Sequence, residues 1–368
     1  MDIKPLGKEK TILSNPMSKH SYFGWPTVAR LPDGRLATVC SGFRRGHVCP
    51  FGKAVISFSD DGGETWTQPA PVVDTPLDDR DAGIAFFENG DMIVTSFNNT
   101  RAQQRLWNPV SEELPPELRL RNAWYQAYLD TVTDEEEERY LGATFRISKD
   151  GGRSFGPLYL SPVTSPHGPA LLSDGTMLWV GRRFSPDDSF NEETRTLAAY
   201  TVAEDGTLGF VGEIPSVQKN GRPVDACEPH AIERRTGELL CHFRGEGNGL
   251  FTLYQTVSAD GGRTWSEPEQ LLADDGGAPA HLLRHSSGVL VSVYGYRAGP
   301  RFGIRAMLSG DGGKTWKKDL ILWETEVSSD LGYPASVELD DGTLLTVFYA
   351  KDEKNGPAVI KQIRWALL

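Results

Sequence analysis

Cysteine is scarce in this chain: four occur in 368 residues, Cys40, Cys49, Cys227 and Cys241. No two form a C-x-x-C pair, so neither a zinc framework nor a disulfide scaffold is expected. Long apolar runs are missing too. Nothing reaches the roughly 18 residues of a membrane span, and the start MDIKPLGKEKTILSN lacks the apolar centre of a secretion signal. With Met1 in place, a cytoplasmic location is the expectation. Positive charge is in deficit, 38 Lys and Arg against 50 Asp and Glu, for a net charge of −12. That balance argues against nucleic acid and anionic membranes as partners. The hydrophobic share of 39% is low for a helical bundle but suits many short strands with polar turns.

Glycine (39) and proline (24) are plentiful, as frequent turns require, and one turn is repeated. Ser258-Ala-Asp-Gly-Gly-Arg-Thr-Trp265 returns as Ser309 to Trp316 and Ser59 to Trp66, with a weaker copy from Ser148 to Phe155. In S-x-D-G-G-x-[TS]-[WF], Ser and Asp can bond backbone groups across a tight turn, and the glycines supply positive φ. The Trp or Phe can then fold back to pack between neighbouring units. Copies at related spacing mean a repeat architecture.

A second repeat runs between these turns: a Pro- or Gly-marked start, an apolar stretch, a Gly turn and another apolar strand. Six copies are centred on Gly34, Gly90, Gly175, Gly237, Gly288 and Gly342. The box-like turns resemble the Asp-box, or bacterial neuraminidase repeat, of the sialidase superfamily. The resemblance implies an all-β, six-bladed β-propeller, with residues 1–368 as one domain. Ile3 to Leu13 is expected to add the outer strand of the last blade, beside the chain end at Leu368. Between residues 99 and 141 the repeat is interrupted. There RLRNAWYQAYLDTVTDEEEERY has helical spacing and follows Pro115-Pro116, which predicts an inserted helix in blade 2 with an acidic end. The boxes mark the fold and not the chemistry.

The chemistry is sought nine residues before each turn glycine, where Trp25, Asp81, Pro166, Glu228, Pro279 and Tyr333 stand. If each inner strand starts at the mouth of the channel, these positions converge. His230 and His281 follow two residues on, on the same strand face, with His167 in the neighbouring place. A tyrosine hydroxyl needs a base to become a nucleophile, and Glu228 is placed to serve Tyr333. Glu228-Pro229 resembles the start of the sialidase fourth blade, and Gly332-Tyr333 that of the sixth; sialidases use a tyrosine nucleophile. By the same resemblance Arg244 and Arg301 would hold an acidic group of the substrate. Two family features are absent. Gly24 replaces the first-blade Arg, and the loop FRRGHVCPFGK holds His47 where the acid/base Asp belongs. Arg44 or Arg45 is then expected to restore the charge, and His47 or Asp81 to donate the proton.

The expected function is hydrolysis of a small, acidic glycoside or oligosaccharide, though not ordinary sialidase activity. Tyr333, Glu228, Asp81 and His47 would be catalytic. Trp25 would stack on a sugar ring, and Arg44, Arg244, Arg301, His167, His230 and His281 would bind substrate. A channel histidine is more often a hydrogen-bond donor to substrate than a ligand, so no metal or other cofactor is expected. Two alternatives stay open: a lyase on uronate sugars that uses His, Tyr and Arg, and a non-catalytic sugar-binding propeller.

Overall fold

In the computed structural model, which describes all 368 residues, the strands form six antiparallel blades around a central channel and one two-stranded ribbon, Gln218–Lys219 with Arg222–Pro223. Each sheet is laid down from the channel outward. Blade 1 runs Tyr22–Arg30, Leu36–Arg44, Lys53–Ser59 and Ala70–Val73. Blade 4 runs Asp225–Glu233, Leu239–Gly247, Leu250–Ser258 and Glu269–Gln270. The other inner strands are Arg80–Phe86 in blade 2, Ala280–Arg284 in blade 5 and Gly332–Glu338 in blade 6. Blade 3 begins with two short pieces, Val163–Thr164 and Ala170–Leu171, which both pair with Met177–Arg183. Pro166 and Pro169 lie in the gap between them, and neither has an N–H to give to the ladder.

The ring closes as the sequence suggests: Ile3–Pro5 and Lys10–Leu13 both pair with Ala358–Leu367. The apolar core is a set of wedges between adjacent blades. One joins Leu178, Val180 and Leu197 of blade 3 to Ala231, Leu239 and Phe243 of blade 4. Strands covered on both faces read as continuous apolar runs, and Leu344 to Ala350 is buried throughout.

The repeated turns have the expected mechanics. In the first, Ser59 Oγ donates to Asp61 Oδ1 at 2.8 Å, while Thr65 N–H donates to the same oxygen at 2.8 Å. Gly63 N–H donates to Ser59 Oγ at 2.9 Å. Trp66 then reaches the preceding blade, its Nε1–H donating to Gln362 Oε1 at 2.9 Å. In blade 3 the corresponding turn, Ala203 to Thr207, is a plain hairpin.

The insertion is three helices instead of one: α1 (Arg101–Trp107), α2 (Pro116–Leu129) and α3 (Asp134–Tyr140). The helical spacing was sound, but Thr133 and Glu136 form a reciprocal capping box that starts a new helix inside the single one predicted. The helices pack on the rim of blades 1 and 2. Phe51 packs at a tilt against Trp124 and Tyr128, and the Tyr128 hydroxyl donates to Pro76 O at 2.9 Å. None of the three helices is long and apolar enough to cross a membrane.

Candidate active site

Four of the six aligned positions share a backbone conformation that their residue types seldom adopt. Trp25, Asp81, Glu228 and Tyr333 have φ of 56°, 47°, 54° and 49°. Strand pairing slips at each: between Gly24 and Thr27, Arg80 and Gly83, Cys227 and His230, and Gly332 and Ala335. A bulge of this kind re-aims a side chain, and left-handed φ outside glycine costs about 1–3 kcal/mol. The remaining two positions, Pro166 and Pro279, have a ring that forbids positive φ. Blades 1, 2, 4 and 6 therefore turn these four side chains into one cavity of about 240 Å³ at the channel mouth.

On the cavity floor the Tyr333 hydroxyl donates to Glu228 Oε1. Arg244 Nη1 donates to Glu228 Oε2 at 3.0 Å and its Nη2 to Glu246, so this guanidinium is taken up by two carboxylates. Burial, with the nearby Glu228 and Asp81 charges, pushes the Tyr333 phenol well above its ordinary value. The hydroxyl therefore keeps its proton until Glu228 receives it. Asp81 is 7% exposed, and its Oδ1 is buried without a partner. Burial raises its carboxyl to about 7, against the pull of Arg80 and with help from the Glu228 charge.

His47 lines the rim of the same cavity and meets the Trp25 ring edge-on at 4.9 Å. Its Nδ1 is 2.9 Å from Asp330 Oδ1, which also accepts from the Tyr22 hydroxyl at 2.9 Å. Asp330 is paired with Lys351 at 3.1 Å as well. Burial alone would raise the Asp330 carboxyl, yet His47 and Lys351 hold it well below the usual carboxylate range. Burial lowers His47 more than Asp330 raises it, so the imidazole is mostly neutral at pH 7.

Several expectations fail. Arg301 is two-thirds exposed and reaches Glu324 and Glu326 outside the cavity. The arginine that does line the wall is Arg297, at the end of the second strand of blade 5. Arg44 is fully buried in a two-pronged pair with Asp78, at 2.5 and 2.9 Å, and also donates to the His47 carbonyl. It shapes the His47 loop from behind. Arg45 lies over Trp124 of α2, 4.3 Å from the ring centroid. Trp25 is 1% exposed, and the Arg44 and Arg80 guanidinia lie 4.9 and 5.0 Å from its ring centroid. No face remains on which a sugar can stack.

The histidines also lie elsewhere. Two residues along a strand is about 6.6 Å, enough to carry His230 and His281 below the floor. They stack there at 4.4 Å between centroids, with His167 edge-on at 5.6 and 5.1 Å, and none lines the cavity. His230 Nδ1 accepts from Leu282 N–H at 2.9 Å and His281 Nδ1 from Ser336 N–H at 3.4 Å. Each neutral ring then carries its proton on Nε2, which leaves no lone pair for a metal ion.

Arg80, Arg297, Asp330 and Glu246 escaped the sequence reading. For Arg297 a signal exists: Arg44, Arg182, Arg244 and Arg297 all fall within three residues of the end of the second strand of their blades. For Arg80, one residue before Asp81, only the bulge reveals that neighbouring side chains can both face the cavity.

Comparison with solved structures gives likeness of fold at low identity. A protein of unknown function from Dyadobacter fermentans is 20% identical, with a TM-score of 0.76 over 100% of this chain and 99% of that one. The NanB sialidase of Streptococcus pneumoniae is 14% identical, with a TM-score of 0.66 over 99% of this chain and 71% of that one. An α-L-arabinanase of Penicillium chrysogenum is also 14% identical, with a TM-score of 0.63 over 97% of each chain. No curated protein matches the sequence. The model of the BNR repeat-like domain matches residues 91–346, well over half the chain, and the chain belongs to that family.

Proposed function

We propose that this propeller is a glycoside hydrolase in which Tyr333 is the nucleophile, Glu228 its base and Asp81 the proton donor. One observation carries the reading: the hydrogen-bonded chain Tyr333–Glu228–Arg244 on the floor of the cavity. Tyr333 Oη attacks the anomeric carbon as its proton passes to Glu228 Oε1. The bond to the leaving oxygen breaks, and that oxygen takes the proton of Asp81. Water, losing a proton to the Asp81 carboxylate, then attacks the same carbon. The tyrosyl–sugar bond breaks, and Tyr333 regains its proton from Glu228. Asp81 suits the first step because a carboxyl titrating at about 7 is still about half protonated in neutral water, where an ordinary carboxyl is almost wholly ionised. The sialidase and arabinanase among the fold neighbours support a sugar as the substrate class.

The test is a panel of aryl glycosides, followed by Tyr333→Phe on whichever is turned over. Loss of kcat on the order of 10³-fold or more, with ligand still bound, is expected for removal of a nucleophile. Near-normal turnover by that variant would end the assignment. A second reading has its own support: neutral His47, oriented by Asp330, is equipped to remove a proton α to a uronate carboxylate. Elimination would then be revealed by the ultraviolet absorbance of an unsaturated sugar, and binding without turnover would mark a lectin-like protein.

A further inference from the structure

A second hollow opens beside the cavity. It is a groove of about 490 Å³ between the first blade, the helical insertion and the Asn355 to Pro357 turn of the last blade. His47 lines both spaces. Trp107 of α1 lines the groove and lies 5.8 Å from the guanidinium of Arg80, which lines the cavity. These two side chains stand at the seam, so a chain seated in the cavity can continue into the groove.

The groove is cationic in an acidic protein. Lys19, Arg45, Arg121 and Lys351 line it and no Asp or Glu does, although the chain carries a net charge of −12. Lys351 is paired with Asp330 at 3.1 Å, and Asp352, next along the chain, is taken up by Lys361 at 2.6 Å. Lys19 is exposed and meets no carboxylate. Arg45 lies over Trp124 at 4.3 Å and Arg121 over Tyr125 at 5.5 Å, both rings belonging to α2. Beyond its ring, the Arg121 side chain donates only to the neighbouring Asn122 Oδ1, at 3.3 and 3.2 Å. An aromatic face fixes a guanidinium in place while leaving its N–H edge free, and half-buried donors of that kind favour an anion.

Displacement at the anomeric carbon runs in line, so a nucleophile on the cavity floor sends the leaving oxygen toward the rim, where His47 stands. Four cations are also more than a single carboxylate needs. We infer that the groove is the subsite for the leaving part of the substrate, and that this part is a polyanionic glycan with carboxylate or sulfate groups on successive sugars. The insertion then has a task, since it supplies Trp107 and Arg121 and holds Arg45 in position. The assignment rests on the glycoside reading above, but it concerns a second site outside the channel mouth and is read by binding.

Calorimetric titration of the Tyr333→Phe protein tests it without turnover. The probes are tetrasaccharides of hyaluronan, which carries carboxylates, of chondroitin sulfate, which carries carboxylates and sulfates, and of chitin, which is neutral. At about 50 mM salt at least one anionic probe should bind about tenfold or more tightly than the chitin one, and about 0.5 M salt should shrink the difference. Arg45→Gln with Arg121→Gln, checked for intact folding by thermal melting, should erase most of that preference. The same pair changed to Lys should keep much of it, which a purely structural role of the two arginines would not allow. Arg119→Gln with Arg153→Gln removes two exposed charges that lie outside the groove and should leave the preference in place. Preference for both anionic probes identifies the carboxylate as the recognised group, and preference for chondroitin sulfate alone identifies the sulfate. Equal affinity for charged and neutral probes, a preference that survives Arg45→Gln with Arg121→Gln, an equal loss in the control pair, or no binding at about 10 mM would each overturn the groove. Failure of the hydrolase reading would appear instead as unimpaired catalysis by Tyr333→Phe on an aryl glycoside.

Discussion

At the scale of single residues, the cavity holds two carboxyl groups in different states. Glu228 is engaged by Tyr333 and Arg244, whereas Asp81 has a bare Oδ1 and a carboxyl raised to about 7. If Asp81 is the acid, it must be protonated when substrate binds, so kcat/KM should fall as pH rises through about 7. Asp81→Asn should lose most of the rate and that limb with it; a wild-type profile flat from pH 6 to 8.5 would exclude the role. Asp330 gives a separate prediction. By losing the charge on which His47 leans, Asp330→Asn should lower the His47 value further. Any pH limb that belongs to His47 would move to more acid pH, which a merely structural change would leave in place. Glu228, Tyr333, Asp81 and His47 were legible in the sequence because register before a turn glycine and position in a loop are both countable. Arg301 was misplaced and Arg80 overlooked because a guanidinium at the end of a flexible stem is positioned by its partners. Those partners, Glu324 for the one and three aromatic rings for the other, lie far away in the chain.

At the scale of the strand, the side chains that line the cavity are aimed by a defect in the ladder. Each inner strand of blades 1, 2, 4 and 6 carries a bulge and a left-handed residue in its channel-side half, and pairs regularly from there to the turn glycine. This inverts the usual preference of a strand for β-branched residues over glycine, worth about 1 kcal/mol. Glu228→Gly and Glu228→Val remove the same carboxylate, so their cost to Arg244 cancels in comparison. Glycine takes φ of 54° freely, while valine is a genuine outlier there. Glu228→Val should therefore unfold at lower denaturant than Glu228→Gly, by about 1–3 kcal/mol. The opposite order would mean that the bulge is imposed by the glutamate and not by the strand. The hairpins themselves were legible from alternation and turn glycines; the bulges were not, because one extra residue near the start of a short strand leaves the turn glycine and the apolar run before it unchanged. The insertion was legible as helix but not as three helices, since the break at Thr133 lies in a capping box rather than at a glycine or proline.

At the scale of the whole molecule, titrating groups buried at the channel and within the blades couple its stability to pH in opposing senses. Burial lowers His230 to about 4 and His242 to about 3, and it holds His167 and His281 well below the ordinary histidine value. In the unfolded chain such groups titrate near 6.5. Their contribution is thus complete above about pH 6.5 and is lost as pH falls, because the unfolded chain takes up protons that the fold refuses. Asp79 and Asp81, both raised to about 7, and Glu246, also raised, act the other way: the fold holds protons that the unfolded chain releases, and stability is lost as pH rises toward 7. Near pH 5 the four histidines outnumber the three carboxyls, and Glu246 is only modestly shifted, so the difference is one to two protons. At about 1.4 kcal/mol per proton and pH unit, unfolding free energy should rise by roughly 1–3 kcal/mol between pH 5 and 6. Denaturant melts at the two pH values measure this directly. A slope of zero or of the opposite sign would mean that the three rings at the channel axis accept protons in the folded state, drawing water into the space beneath Tyr333.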